Sequence, residues 1–330
     1  MSHLPSPLCL FTPASETPEL KIAIDRFYET WLRQHAIPEG FRLFHYTTLQ
    51  GMQGILRGRN LRLGHITSFN DPNEVQYGQR LVIEILNKFL RRESAAAIRE
   101  FLHELLESVS VFGHWVHHAF VVCFCESETL LSQWRAYADQ GRGYSLGFRF
   151  SSETRIASKL AEVSEGRTPV FRKIIYCPTQ QQNVAEGYLR SIIDATRGAV
   201  RLGAPDSSIM AMQAANVILD MLLCFKHPAF AEEREWRLFR VTLDSDEPEG
   251  VEFREAAGLL APYRPTYLFD IGLSQTAAFP LRSITFGPGL EPARTRAAID
   301  LFLNQVSRDL NPITLVRSDV EIREPGFNLR

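Results

Sequence analysis

The sequence predicts an α+β fold, a mixed and mainly antiparallel sheet core with peripheral helices, and three observations carry that expectation. Period-two runs such as Tyr144, Leu146, Phe148 and Phe150 mark strands. Apolar residues three and four apart, as in Leu20, Ile24, Phe27 and Trp31, mark amphipathic helices. Local strand groups with scattered helices, rather than a regular βαβ alternation, favour α+β over α/β. With 330 residues, 45% of them hydrophobic, the chain is long enough for a large core, near the size where one core gives way to two.

In order along the chain, residues 1–18 read as a flexible N-terminal arm and 19–330 as one α+β domain with helical insertions at 78–108 and 182–225. The first helix ends at Pro38-Glu39-Gly40, and Phe41 to Tyr46 reads as a short strand. Thr48 suits the cap of a helix carrying Leu49, Met52, Ile55 and Leu56, with Gly58 as its stop. Leu61 to Leu63 reads as extended, and 65–74 as a loop around the turn Asn70-Asp71-Pro72-Asn73. Ala119 to Phe124 is an apolar strand, followed by a turn at Cys125-Glu126-Ser127-Glu128 and a short helix with Leu131, Trp134 and Tyr137. Gly141 and Gly143 end that helix. Further strands are expected at 171–177, 235–243, 251–253 and 281–286, a helix at 291–307, and extended chain at 313–322 broken around Ser318.

Composition narrows the function classes. A net charge of -2 argues against a dedicated, strongly basic nucleic-acid surface. No apolar run approaches the roughly 20 residues that span a bilayer. The opening MSHLPSPLCLFTP lacks a basic stretch followed by a clean apolar run, so a cytoplasmic protein is expected. Cysteines at 9, 123, 125, 177 and 224, an odd and widely spaced set, fit reduced thiols better than a disulfide framework. His114, His117 and His118 lack the further ligands and spacing of a zinc site, so no metal is expected.

The residues that could carry chemistry lie in three clusters. Glu233 and Glu235, two apart on an extended chain, send both carboxylates to one face. They suit ribose binding, stabilisation of an electrophile or acid/base work; a charged strand start with ordinary salt bridges explains the same residues. Arg237 suits a phosphate or a bidentate lock on Glu235. His45 and Tyr46 end the early strand and point to opposite faces, so they need not share one role. In the third cluster Tyr137 suits the wall of a flat pocket, Ser127 is a polar candidate, and Gly141 and Gly143 let backbone approach a ligand. No complete phosphate-binding glycine signature or nucleophile elbow is present.

These segments resemble a known family. Phe44-His45-Tyr46-Thr47, Thr67 through Glu74, Phe124 through Ser127, Trp134 through Ala138, Phe230 through Arg237 and Arg317-Ser318 are similar, in order over 41–323, to the bacterial domain-of-unknown-function 2971 family. A more distant resemblance is to ADP-ribosyltransferases. That resemblance implies His45 as nucleotide-binding residue, Ser127 or Tyr137 as the middle position, Glu235 as catalytic glutamate and Glu233 as its upstream partner. It implies NAD as substrate and a protein, nucleic-acid or small-molecule acceptor. A noncatalytic ligand- or protein-binding module, or another nucleotide-processing enzyme using Glu233 and Glu235, stays open beside it. The enzyme reading expects His45, Ser127 or Tyr137, and Glu235 to meet in one cleft.

Overall fold

A computed structural model describes residues 18–34, 37–66, 74–111, 119–165, 171–202, 207–241, 250–256, 258–271 and 276–327. Nearly all of the expected arm, the turn at Asn70-Asp71-Pro72-Asn73 and the histidines at 114, 117 and 118 lie outside the described residues. The α-helices among the described residues are α1 Pro18–Gln34, α2 Leu49–Gly58, α3 Glu74–Arg92, α4 Ala96–Ser110, α5 Leu131–Tyr137, α6 Pro178–Arg201, α7 Ser207–Leu222 and α8 Pro292–Val306. None of the described helices is long and apolar enough to cross a membrane. The strands are β1 Arg42–Thr47, β2 Asn60–His65, β3 Ala119–Cys125, β4 Tyr144–Arg149, β5 Thr154–Ala157, β6 Phe171–Lys173 and β7 Glu235–Val241. They continue with β8 Glu252–Ala256, β9 Leu259–Ile271, β10 Ala277–Ala278, β11 Leu281–Phe286, β12 Ile313–Thr314 and β13 Glu321–Arg323.

The chain divides into two compact units, one made of Met1–His35, Phe69–His117 and Ile174–Ala231, the other of the remaining segments. The first is helical, and the segments expected as insertions both fall in it. Leu20, Ile24 and Trp31 of α1 are buried as the helical spacing predicts, and Phe27 meets the Tyr188 ring of α6 at 4.8 Å. The buried Gln181 amide of this unit is satisfied, as burial demands. Gln181 donates to the carbonyls of Ile175 (2.6 Å) and Lys226 (2.9 Å) and accepts from the Tyr77 hydroxyl at 2.9 Å.

The second unit is built on one curled, half-barrel sheet. Its main path runs β12-β10-β9-β2-β3-β1-β4-β11-β13, with β5 and β8 on β9, β7 on β3, and β6 on β7. All pairings are antiparallel except β10 with β12 and β11 with β13. The expected mixed, mainly antiparallel α+β core is therefore present. β3 organises the middle. One edge pairs with β7 from Ala119 to Cys125; the other pairs with β2 at Val121 and Phe120 and meets β1 only at Phe44–Cys125. Between those contacts the ladder opens. Alternation sends Phe120, Val122 and Phe124 into the main core. There the Phe124 ring meets Phe148 at 5.9 Å, Phe150 at 6.0 Å and Phe171 at 5.5 Å.

Two features depart from the sequence reading. β9, the longest strand, has no counterpart in the sequence reading; it carries Pro262 and Pro265, residues that disfavour strand interiors. It holds together by handing its pairing from β8 to β2 and then β5 along its length. The second feature is the cap of α2, which ends at Gly58 as expected but takes its left-handed turn one residue later. Thr48 caps α2 as expected, its hydroxyl accepting from the Gly51 amide at 3.2 Å. The left-handed residue is Arg59 (φ 52°) rather than Gly58. A side chain is strained there, but the buried Arg59 guanidinium donates to the Val306 carbonyl and ties α2 to the end of α8.

Candidate functional site

The three motifs meet at one end of the sheet. Cys125 pairs with Phe44 of β1 on one edge and with Glu235 of β7 on the other, so one row crosses all three strands. Partners in such a row share a face, and neighbours along a strand do not. Phe44, Tyr46, Cys125, Glu235 and Arg237 therefore project to one face; His45, Phe124 and Trp236 project to the other. Strand adjacency joins His45 to Glu235, but the side chains are on opposite sides of the sheet.

Each expected site residue then has a definite environment. Glu235 opens β7, is 5% exposed, and holds Arg237, 1% exposed, in a two-pronged pair: Nε to Oε1 at 2.7 Å and Nη2 to Oε2 at 3.2 Å. Strand period two produces this pair, and it matches the anticipated bidentate lock. Glu233 is buried as well, but not on the same strand: it ends the 3-10 turn Pro228–Glu233. Arg234 follows in the left-handed region at φ 42°, so the expectation that extended spacing sends both carboxylates to one face is corrected. The chain turns between them.

Tyr46 acts on the loop after β3. Its hydroxyl donates to the Ser127 carbonyl at 2.9 Å and accepts from the Leu130 amide at 3.0 Å, while its ring meets Trp134 of α5 edge-on at 4.9 Å. Burial, with the Cys125 and Glu128 charges, keeps its phenol well above the usual range. Ser127 accepts from the Thr129 amide at 3.3 Å, and Tyr137 closes α5 with its ring 37% exposed. Cys125 lies between these groups. Burial pushes its thiol up to about 11, against the Ser127 amide and the Arg234 charge; Glu126 and Glu233 add to the rise.

On the opposite face, His45 fills the opening between β1 and β3. Its Nδ1 donates to the Cys123 carbonyl at 2.9 Å, which fixes the proton on that nitrogen. Burial is the largest influence and holds the imidazole below its ordinary value; Arg254 adds to this, and the Cys123 bond opposes it. The ring supplies a donor where the β1–β3 ladder has stopped supplying one.

The glycines serve a different purpose from the one expected. A side-chain carbon on Gly143 would stand 2.4 Å from the Thr47 carbonyl, and one on Gly287 2.1 Å from the Gly141 carbonyl. Gly287 and Gly289 donate to the carbonyls of Gly143 and Gly141, both at 2.9 Å. Backbone packs on backbone here: Gly143 lies against Thr47 and Ala138, and Gly287 against Gly141 and Gly143.

Sequence reasoning missed two carboxylates that hold the loop in place. Glu126 accepts from Lys173 and from the Trp236 indole, both at 2.8 Å. Desolvation pushes its carboxyl up, but those bonds and the charges of Lys173 and Arg234 outweigh it and hold it below the ordinary value. Glu128 accepts from Arg323 of β13 at 3.0 Å to each oxygen, and from Thr285 at 3.3 Å. The alternating acids of Cys125-Glu126-Ser127-Glu128 were the available signal; their partners, 47 and 195 residues away, were not legible.

Among the described residues, no group of three or more His, Cys, Asp or Glu side chains is placed to hold a metal ion. No curated protein and no solved structure matches the chain. Residues 133–238 match the model of the DUF2971 family, a protein family of unknown function; the match takes in α5, the glycines and the Phe230–Arg237 motif, and is narrower than the resemblance over 41–323.

Proposed function

We propose that the protein is an NAD-dependent ADP-ribosyltransferase in which Glu235 is the reactive carboxylate and the acceptor is a protein, a nucleic acid or a small molecule. The observation that carries this reading is the row Phe44–Cys125–Glu235, which places the three motifs on neighbouring strands. Glu235 stabilises positive character at the anomeric carbon of the nicotinamide ribose, and Arg237 orients it. The glycosidic bond to nicotinamide breaks and its electron pair leaves with the base. A nucleophilic atom of the acceptor forms the new bond, and its proton passes to Glu233. Tyr46 holds the Ser127 loop, and Tyr137, on the helix packed over this face, stacks on the nicotinamide. His45 works from behind the sheet as a positioning residue, steadying β3 through Cys123.

One observation favours a second reading. Arg237 engages both carboxylate oxygens of the buried Glu235, an arrangement that also suits a structural pair in a noncatalytic ligand-binding module. Incubation with adenine-labelled NAD and bacterial protein and nucleic-acid fractions separates the two. The transferase transfers label to an acceptor, and Glu235→Ala abolishes the transfer. The module binds ligand and transfers nothing.

A further inference from the structure

A second polar site lies between α2 and the β2–β9–β8 ribbon, and its lining includes none of the Glu235 row. β2 alternates strictly: Leu61 and Leu63 enter the core, while Asn60, Arg62 and Gly64 face outward. Gly64 pairs with Tyr263 of β9, Tyr263 with Glu252 of β8, and Arg254 with Ala261, so Arg62, Tyr263, Glu252 and Arg254 share one face. Arg62, Tyr263 and Glu252 of this face, with Gln50, Gln53 and Arg57 of α2, line a groove of about 550 Å³, and Arg254 lies beyond its lining on the same face. That volume is within the range of small-molecule sites, about 300–1,000 Å³.

The groove holds its guanidiniums without ion-pairing them. A side-chain carbon on Gly54 would stand 2.0 Å from Arg62 Nη2, so the guanidinium rests against bare backbone of α2. Its other support is the Tyr263 ring, 5.2 Å from Cζ. Arg57 lies over the Phe302 ring at 5.5 Å. Among the described residues, none of Arg57, Arg62 and Arg254 has a carboxylate at ion-pair distance. The nearest acid in the groove, Glu252, accepts from the Tyr263 hydroxyl. Arg254 lies on an exposed strand; partial desolvation of its guanidinium first, and then the Arg62 charge, weaken its hold on its proton. The carbonyl end of α2 would repel an anion, but Asn60 donates to the Gly58 carbonyl at 3.2 Å and covers it.

We infer that this groove binds the diphosphate of a small molecule, with Arg62 and Arg57 of its lining as the main ligands and Arg254, on the same face of β8, beside them. Guanidinium forks suit phosphate oxygens, and charges from two strands and a helix suit two phosphates better than one. A net charge of -2 argues against a nucleic-acid backbone as the occupant. The inference does not depend on the transferase reading.

Calorimetric titration of the full chain with ADP, inorganic pyrophosphate and adenosine tests it. ADP and pyrophosphate are expected to bind and adenosine not to. Arg62→Gln and Arg57→Gln are each expected to weaken both anions at least about ten-fold, the size of one lost charge-assisted contact. Should Arg62→Gln fail the folding check by circular dichroism, the exposed pair Arg57→Gln/Arg254→Gln gives the same reading. The proposal is overturned if folded wild type binds neither anion at millimolar concentration, or if the variants bind them as wild type does. Binding of an oligonucleotide in place of ADP would also overturn it.

Discussion

At the scale of single residues, the Glu235–Arg237 pair carries a stability consequence. Both side chains are almost wholly buried, so removing one charge leaves the other without its bidentate partner in a low-dielectric setting. Arg237→Met is expected to cost about 3–5 kcal/mol in urea denaturation. The double variant Arg237→Met/Glu235→Gln should recover part of that loss, and a double variant no better than Arg237→Met would contradict the pairing. His45 gives a pH signature. Burial lowers its folded-state pKa, so the imidazole is neutral in the fold while the unfolded chain takes up a proton near pH 6.5. The stability from this group is present above pH 6.5 and drains away as pH falls toward the folded-state pKa. His45→Gln should flatten the acid limb of a melting-temperature profile below pH 6.5. An unchanged limb would show that His45 is not held neutral.

At the scale of elements, the loop after β3 is fixed from three sides: by Tyr46 of β1, by Lys173 and Trp236 of β6 and β7, and by Arg323 of β13. Tyr46→Phe removes the two bonds that its hydroxyl makes to the loop backbone and should cost about 1–3 kcal/mol. Hydrogen exchange at the Leu130 amide should quicken with it; unchanged protection there would mean the loop is held by its acids alone. Much of this level was readable beforehand, because periodicity reports burial directly. The α1 stripe, the apolar β3 and the alternating β4 all follow from residue spacing. β9 was not readable, since two prolines argue locally against a strand that non-local partners nonetheless complete. Gly58 is the stop of α2 as read, but the left-handed cap at Arg59, whose guanidinium meets the Val306 carbonyl 247 residues away, had no local signal.

At the scale of the whole molecule, the α+β class was legible in the sequence, but the single cleft expected for His45 and Glu235 was not: their strands lie close while their side chains take opposite faces. The sequence could not show which face each side chain takes, because that depends on the register between strands far apart in the chain. His45 is the clearest case: its strand lies where expected, yet the single β1–β3 contact at Phe44–Cys125 turns it away from Glu235. The Arg62 groove shows the same limit, since β2, β8 and β9 combine into one face only after folding. The proposed function has the Glu235 carboxylate acting on NAD. Its most direct test is nicotinamide release from NAD, followed chromatographically, by full-length wild type and by Glu235→Gln shown to be folded by circular dichroism. Release by wild type and its loss in Glu235→Gln are predicted; no release by folded wild type, or equal release by both proteins, would contradict the account.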